Sequence, residues 1–260
     1  MASASPEFTV IIPARYHSTR LPGKPLMYIG DKPMVAHVAD RARESGAKRV
    51  VIATDHDEIG STLASMGYEV CTTATTHATG TDRLAEAVQL LGLGDAELVV
   101  NVQGDEPLID PGLIRKVAQE LKLRHKAMLA TAAHPIVSAM TFFDPNVVKV
   151  VFDTSGYAQY FSRAPIPYAR DDFLRTRTEL PPDLPAYRHI GIYAYRVAFL
   201  RQYASLYQTP AERFEALEQL RALGHGFKIA VAFWNGPLEA GVDTPEDLER
   251  VRRVFFANPP

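Results

Sequence analysis

Five short apolar runs recur through the first half of the chain, and each of the four gaps between them carries a helical pattern. The runs at 8–12, 49–53, 68–72, 97–102 and 127–133 read as strands, being too short for helices and bounded by Pro, Gly or polar residues. Between them, segments 33–44, 57–66, 81–91 and 111–123 place apolar side chains at helical spacing. In the first of these, Met34, Val35, Val38 and Ala42 share a face, with Pro33 before it and Gly46 just past its end. Strand–helix–strand units close by right-handed crossovers, so this alternation demands a mostly parallel sheet with helices on both faces.

The second half breaks that rhythm. Residues 147–152 and 157–161 flank the turn sequence Asp153-Thr154-Ser155-Gly156 and read as an antiparallel hairpin. Segment 164–187 is rich in proline and charge and reads as an excursion over the surface or across a partner. Then come a strand at 188–195, a helix at 211–223, a strand at 227–233 and a last helix. That helix is opened by Thr244, Pro245 and Asp247. The expected fold is α/β: a doubly wound, mostly parallel sheet over residues 8–260, one domain, with a smaller α/β arm inserted at about 134–200. Residues 1–7 read as a loose start.

Composition narrows the classes. Lysine and arginine number 28 against 30 acidic residues, a net charge of −2, so no positive field invites nucleic acid or an anionic membrane. The only cysteine is Cys71, which excludes an intrachain disulfide and disfavours a thiolate zinc site. Apolar runs reach about seven residues, well short of the roughly 18 that span a bilayer. A cytoplasmic enzyme with no membrane insertion is the expectation.

After the first strand comes Pro13-Ala14-Arg15-Tyr16-His17-Ser18-Thr19-Arg20-Leu21-Pro22-Gly23-Lys24-Pro25. It is not a Walker A loop, since Gly23-Lys24 is followed by Pro25 and position 18 is Ser. Gly92 and Gly94 follow a helix rather than a strand, the wrong order for a dinucleotide fingerprint. The 13–25 loop nevertheless lies where parallel sheets bind ligands, and carries Arg15, Arg20 and Lys24. Converging cations suit a triphosphate; a solvated basic loop is the alternative. Asp105, after the most apolar strand, is either a hard-oxygen ligand for magnesium or a turn former before Pro107. Asp243, just before Thr244, is ambiguous in the same way, since a carboxylate there can simply favour a helix start.

Further segments occur in order: Ala53-Thr54-Asp55, His77-Ala78-Thr79-Gly80-Thr81-Asp82-Arg83-Leu84-Ala85-Glu86, Val102-Gln103-Gly104-Asp105-Glu106-Pro107, Tyr160-Phe161-Ser162-Arg163-Ala164, His189-Ile190-Gly191-Ile192-Tyr193, Leu217-Glu218-Gln219-Leu220-Arg221 and Gly241-Val242-Asp243-Thr244-Pro245-Glu246-Asp247-Leu248. Together with the 13–25 loop they closely resemble the 3-deoxy-manno-octulosonate cytidylyltransferases, over residues 8 to about 254. The resemblance implies a nucleotidyltransferase fold and a homodimer paired through the arm. The implied reaction joins CTP and the sugar acid Kdo with Mg2+, giving CMP-Kdo for lipopolysaccharide biosynthesis and releasing pyrophosphate.

The same resemblance distributes roles. Arg15 and Lys24 fall on the phosphates, with Arg20 either joining them or forming a structural salt bridge. Asp105 and Asp243 share the metal. Ala14, Thr79, Gly80 and Arg83 fall on the cytidine side, and Gln103 between nucleotide and sugar. Arg163, His189, Tyr193, Glu218 and Gln219 fall on the sugar, with Arg163 matched to its carboxylate. Read alone, His189 is more often a satisfied strand histidine and Glu218 a solvated helix face. A cytidylyltransferase for another substrate, or a non-catalytic nucleotide-sugar binder, are the competing readings.

Overall fold

A computed structural model of the chain describes residues 6–16, 21–77 and 79–257. The chain forms two compact units: one comprises residues 1–119, 194–204 and 237–260, the other 120–193 and 205–236.

The first unit holds strands β1 (Thr9–Ala14), β4 (Arg49–Thr54), β5 (Glu69–Thr72) and β6 (Leu98–Asn101), ordered β6-β1-β4-β5. β1 pairs parallel with β4 and with β6, and β4 with β5. This is the parallel arrangement that the alternation predicts. Helices α1 (Met34–Glu44), α2 (Asp57–Ser65) and α3 (Gly80–Leu90) make the crossovers. Chain order runs outward from β1 through β4 to β5, then returns across to β6 on the other side of β1. Open parallel sheets bind ligands at such a reversal, outside the strands' carboxyl ends. β1 is continuously apolar because both its faces are covered: Val10, Ile11 and Ile12 have no exposed surface. A small ribbon, β2 (Tyr28–Ile29) with β3 (Lys32–Pro33), leads into α1. α7 (Val197–Tyr203) and α10 (Pro245–Ala257) also belong to this unit, and α4 (Pro111–Leu123) leaves it.

The second unit is built on β7 (Ala127–Pro135), parallel to β11 (Lys228–Phe233), with β10 (Tyr187–Arg196) beside β7. β10 runs on through the unit boundary at residue 193. β8 (Lys149–Phe152) and β9 (Ala158–Ser162) form the anticipated antiparallel hairpin. Lys149 is fully buried. Its three N–H groups are met by the carbonyls of Asp144, Val147 and Arg163 at 2.6–2.9 Å. That saturates an ammonium group, which would be costly to bury otherwise.

Two expectations are corrected. Segment 164–187 is not merely a surface excursion. It contains helix α6 (Arg170–Arg175), and Phe173 packs with Phe142 of α5 (Ala139–Phe143), Ile136 and Ala186 in a small core of its own. The single helix read over 211–223 is two, α8 (Pro210–Glu215) and α9 (Gln219–Gly224). Between them Ala216 adopts the left-handed conformation, φ 51°. The break is tied by Arg221 of α9, which grips buried Glu212 of α8 with two bonds of 2.6 and 2.9 Å. Residues 1–5 of the expected loose start lie outside the described residues, while Glu7 pairs with Lys48 at 2.9 Å. No helix among the described residues is long and apolar enough to cross a membrane.

Candidate active site

At the carboxyl ends of β1 and β6 the first unit brings together residues far apart in sequence. Gly23 has φ +68° and caps a 3-10 turn, Lys24–Leu26, an arrangement that favours glycine. The turn fixes the Lys24 backbone, and its side chain reaches three acceptors: Asp105 Oδ2 at 2.6 Å, the Val242 carbonyl at 2.9 Å and Asp243 Oδ1 at 3.2 Å.

Two glycines make this convergence possible. A Cβ on Gly104 would lie 3.0 Å from the Pro13 carbonyl, so glycine lets the loop after β6 lie against the end of β1 without backbone crowding. A Cβ on Gly241 would sit 3.2 Å from the Asp105 carbonyl. That same carbonyl accepts from Val242 N at 2.8 Å. The loop before α10 is thus laid backbone to backbone on Asp105.

At both acids the local hydrogen bonding is done by other groups. Turn formation at Asp105 is a matter of backbone, with Glu106 N donating to the Gln103 carbonyl at 3.3 Å. The start of α10 is served by Thr244 and Asp247, which bond reciprocally: Asp247 N to Thr244 Oγ1 at 3.2 Å, and Thr244 N to Asp247 Oδ2 at 3.1 Å. Neither job occupies the carboxylates of Asp105 and Asp243, and both face Lys24. Burial, and then the Asp105 charge beside it, push Glu106 up to about 7.

Thr79 and Asp82 form a capping box at the start of α3, with Asp82 N donating to Thr79 Oγ1 at 3.1 Å. Gly80 opens the helix facing the end of β1, where a Cβ would be 3.8 Å from the Pro13 ring. The first amides of that helix point out of its N-terminus, a suitable place for a ligand acceptor. Arg83 is fully buried, pairing with Asp55 Oδ2 at 2.6 Å and donating to Thr73 Oγ1. Its guanidinium therefore braces α3 against the ends of β4 and β5. Glu86 braces the approach to the same helix: its Oε2 accepts from Ala74 N at 2.8 Å and meets His77 Nε2 at 2.5 Å. The His77 bond, chiefly, holds the Glu86 carboxyl below the usual range. Ala14 is buried at the end of β1, while Arg15 and Gln103 are partly exposed at the ends of β1 and β6. Arg20 lies outside the described residues.

The five expected sugar residues all fall in the second unit. Arg163 directs Nε to the Glu215 carbonyl at 2.7 Å and Nη1 to the Pro145 carbonyl at 3.0 Å. Glu215 was not foreseen. Its carboxylate takes Ser162 Oγ at 2.6 Å and Arg163 N at 2.9 Å, fixing β9 to α8. His189 is only partly covered as a residue, yet desolvation pushes its imidazole down to about 3, so it is neutral. Its Nε2 lies 2.9 Å from Thr131 Oγ1, which is also 2.8 Å from the Ile192 carbonyl. One hydroxyl has one hydrogen. If Thr131 donates it to Ile192, His189 donates from Nε2 and Nδ1 is left as an acceptor. Phe161 and Tyr193 flank the ring at 5.0 and 5.4 Å. On α9, Gln219 is buried and its Nε2 has no hydrogen-bond partner among the described residues, while Glu218 stands at the position just before the helix. A buried amide donor held this way suits a polyol hydroxyl.

A testable consequence concerns acid. The folded-state value of His189 lies below the ordinary 6.5, so the unfolded chain takes up the proton first as pH falls. Stability from keeping the ring neutral is complete above about 6.5 and is lost toward 3, by up to ~1.4 kcal/mol per pH unit. Chemical denaturation between pH 7 and pH 4 should give a steeper loss for the wild type than for His189→Gln; equal slopes would show that His189 is not held neutral.

With this geometry in place, comparison with known proteins is informative. A model of the cytidylyltransferase family matches residues 9–229. A solved structure described as CMP:2-keto-3-deoxy-manno-octonic acid synthetase complexed with CTP is similar over 96% of this chain and 99% of its own, at 38% identity with a TM-score of 0.87. A cytidylyltransferase from Leptospira borgpetersenii serovar Hardjo-bovis (strain JB197) covers 98% of this chain and 89% of its own. At 17% identity and a TM-score of 0.61, it shares the fold.

Proposed function

The chain belongs to the cytidylyltransferase family, and from that premise we propose that it transfers CMP from CTP to 3-deoxy-D-manno-octulosonate (Kdo), giving CMP-Kdo and pyrophosphate. The observation that carries this reading is the convergence of Lys24, Asp105 and Asp243 at the carboxyl ends of the central strands. The relative at 38% identity, which is described with CTP bound, supplies the substrate class.

In this reading the sugar hydroxyl attacks the α-phosphorus of CTP, the α–β bridging bond breaks, and pyrophosphate leaves. Arg15 and Lys24 take the charge that builds on the leaving group. The start of α3, at Thr79 and Gly80, receives the cytosine, braced from behind by Arg83 and Asp55. On the second unit, Arg163, His189, Tyr193, Glu218 and Gln219 are the sugar residues, and neutral His189 offers an acceptor to a hydroxyl. Gln103 is the residue assigned to both substrates.

Two carboxylates within reach of one ammonium are a hard-oxygen donor pair that suits Mg2+, so Asp105 and Asp243 would hold it. Magnesium, when bound, withdraws charge from the phosphate and acidifies the attacking hydroxyl. The remaining ligands would come from water and phosphate. Purified protein with Mg2+, CTP and Kdo should release pyrophosphate and yield a CMP-sugar by mass spectrometry, while UTP and ATP should be poor donors. Absence of product above background, across Kdo and other sugar acids, would defeat the reading.

We also propose a homodimer paired through the arm at about 134–200, acting in the cytoplasm to supply lipopolysaccharide assembly. Support for the dimer comes from large apolar side chains left open there: Val137, Met140 and Leu174 are 92%, 83% and 77% exposed. Light scattering should give about twice 28.7 kDa; a monomer at micromolar concentration would contradict it.

A further inference from the structure

We propose that Lys24 is the resident counter-ion of the Asp105–Asp243 pair, and that a divalent cation gains both carboxylates only when a nucleotide triphosphate draws the ammonium away. This rests on the reading of the site as one for CTP and a divalent cation.

Geometry carries the inference. An ammonium group has three donors, and Lys24 has three acceptors, all from segments remote in sequence: Asp105 Oδ2, Asp243 Oδ1 and the Val242 carbonyl. The ammonium is saturated. It also holds one oxygen of each carboxylate, the pair that a shared cation would use. A magnesium ion needs six oxygens at about 2.1 Å and keeps much of its water. With Nζ 2.6 Å from Asp105 Oδ2 and 3.2 Å from Asp243 Oδ1, the ammonium competes with such an ion for one oxygen of each carboxylate and repels its charge.

The rest of the site agrees. No group of three or more His, Cys, Asp or Glu among the described residues is placed to hold a metal. Two protein carboxylates alone make a weak magnesium site; phosphate oxygens must complete it. The backbone of Lys24 is fixed by its turn, with Lys24 N bonded to the Leu21 carbonyl and Met27 N to the Lys24 carbonyl, each at 3.1 Å. Only the flexible stem has to move. The Lys24 side chain is 13% exposed and that of Asp243 57%, so the cluster is more open to solvent at Asp243. The exchange leaves every charge partnered: Lys24 passes from two carboxylates to a polyanion, and the divalent cation takes its place. It makes metal uptake conditional on nucleotide and keeps the two acids from repelling one another in the free protein.

The test uses Mn2+ as the probe, with free Mn2+ followed by electron paramagnetic resonance on the full chain, without Kdo so that no turnover occurs. Wild type should bind Mn2+ at least about tenfold more tightly with CTP than without it. Lys24→Met keeps the stem and removes the ammonium. Without CTP it should bind Mn2+ about tenfold more tightly than wild type, and Asp105→Asn added to it should abolish that gain. If Lys24→Met does not fold, Lys24→Gln serves the same comparison. A Lys24 variant that binds Mn2+ no better than wild type without nucleotide overturns the inference. Failure of wild type to bind CTP at all, by calorimetry with Mg2+, would instead strike the functional reading beneath it.

Discussion

Asp105→Asn should lower turnover at saturating CTP and Kdo by about a hundred- to a thousandfold, and Asp243→Asn by a similar factor. The substitution keeps shape and removes charge, so it isolates the electrostatic part of each residue's work. The two sit 138 positions apart and meet at one ammonium, 2.6 Å and 3.2 Å away. Groups that serve a single ion act as a unit, so the double variant should be little worse than either single one. Independent roles would instead multiply the losses. Folding should survive, because each single variant leaves Lys24 with one carboxylate and the Val242 carbonyl. Both pairs are partly open to water, where such bonds contribute only about 1 kcal/mol or less. Melting points within a few degrees of wild type would therefore accompany the lost turnover. Near-normal turnover and magnesium dependence in Asp243→Asn would reduce that residue to a helix-start carboxylate.

The parallel half of the fold is legible because burial on both faces of β1, β4 and β6 demands continuous apolar runs, and crossover handedness leaves little choice of topology. The break at Ala216 is not, because an alanine in the left-handed region leaves no mark on periodicity; Glu212 and Arg221, which brace it, look like ordinary helix charges. The Phe173 cluster is hidden for a related reason: its apolar residues are thinly spread among prolines and charges. In the site, resemblance picked out Asp105 and Asp243, and spacing could not have done so. What no pattern disclosed is the partner that satisfies each charge. Lys24 reads as a phosphate ligand, but in the free protein it is given over to two acids. Arg163 reads as a carboxylate ligand, but Nε and Nη1 are bonded to backbone carbonyls. Lys149, in the run Val147-Val148-Lys149-Val150-Val151, gives no hint of being wholly buried. Charge partners are long-range tertiary facts, and periodicity is blind to them.

Arg83→Met should be the most damaging substitution for stability, costing about 3 kcal/mol or more, because it breaks a buried ion pair and leaves one partner behind. Arg83 has no exposed surface, and Asp55 keeps only 18% of its side chain exposed. Methionine fills much of the arginine stem's volume, so the loss measures the missing charge and bonds rather than a cavity. Asp55 would lose its 2.6 Å partner, and the Thr73 hydroxyl its donor. At roughly 2–4 °C per kcal/mol for a chain of this size, the melting point should fall by about 6–12 °C. The same pair fixes the first turn of α3, where Thr79 and Gly80 are assigned to the nucleotide, so KM for CTP should rise more than kcat falls; a loosened binding surface weakens ground state and transition state alike. Adding Asp55→Ala discriminates pairing from mere packing. With the stranded carboxylate removed, the double variant should be more stable than the two single losses predict, by a coupling of about 1–3 kcal/mol. Strict additivity in thermal or urea unfolding would mean that the guanidinium and the carboxylate stabilise α3 separately, and that the ion pair is not what fixes the nucleotide end of the helix.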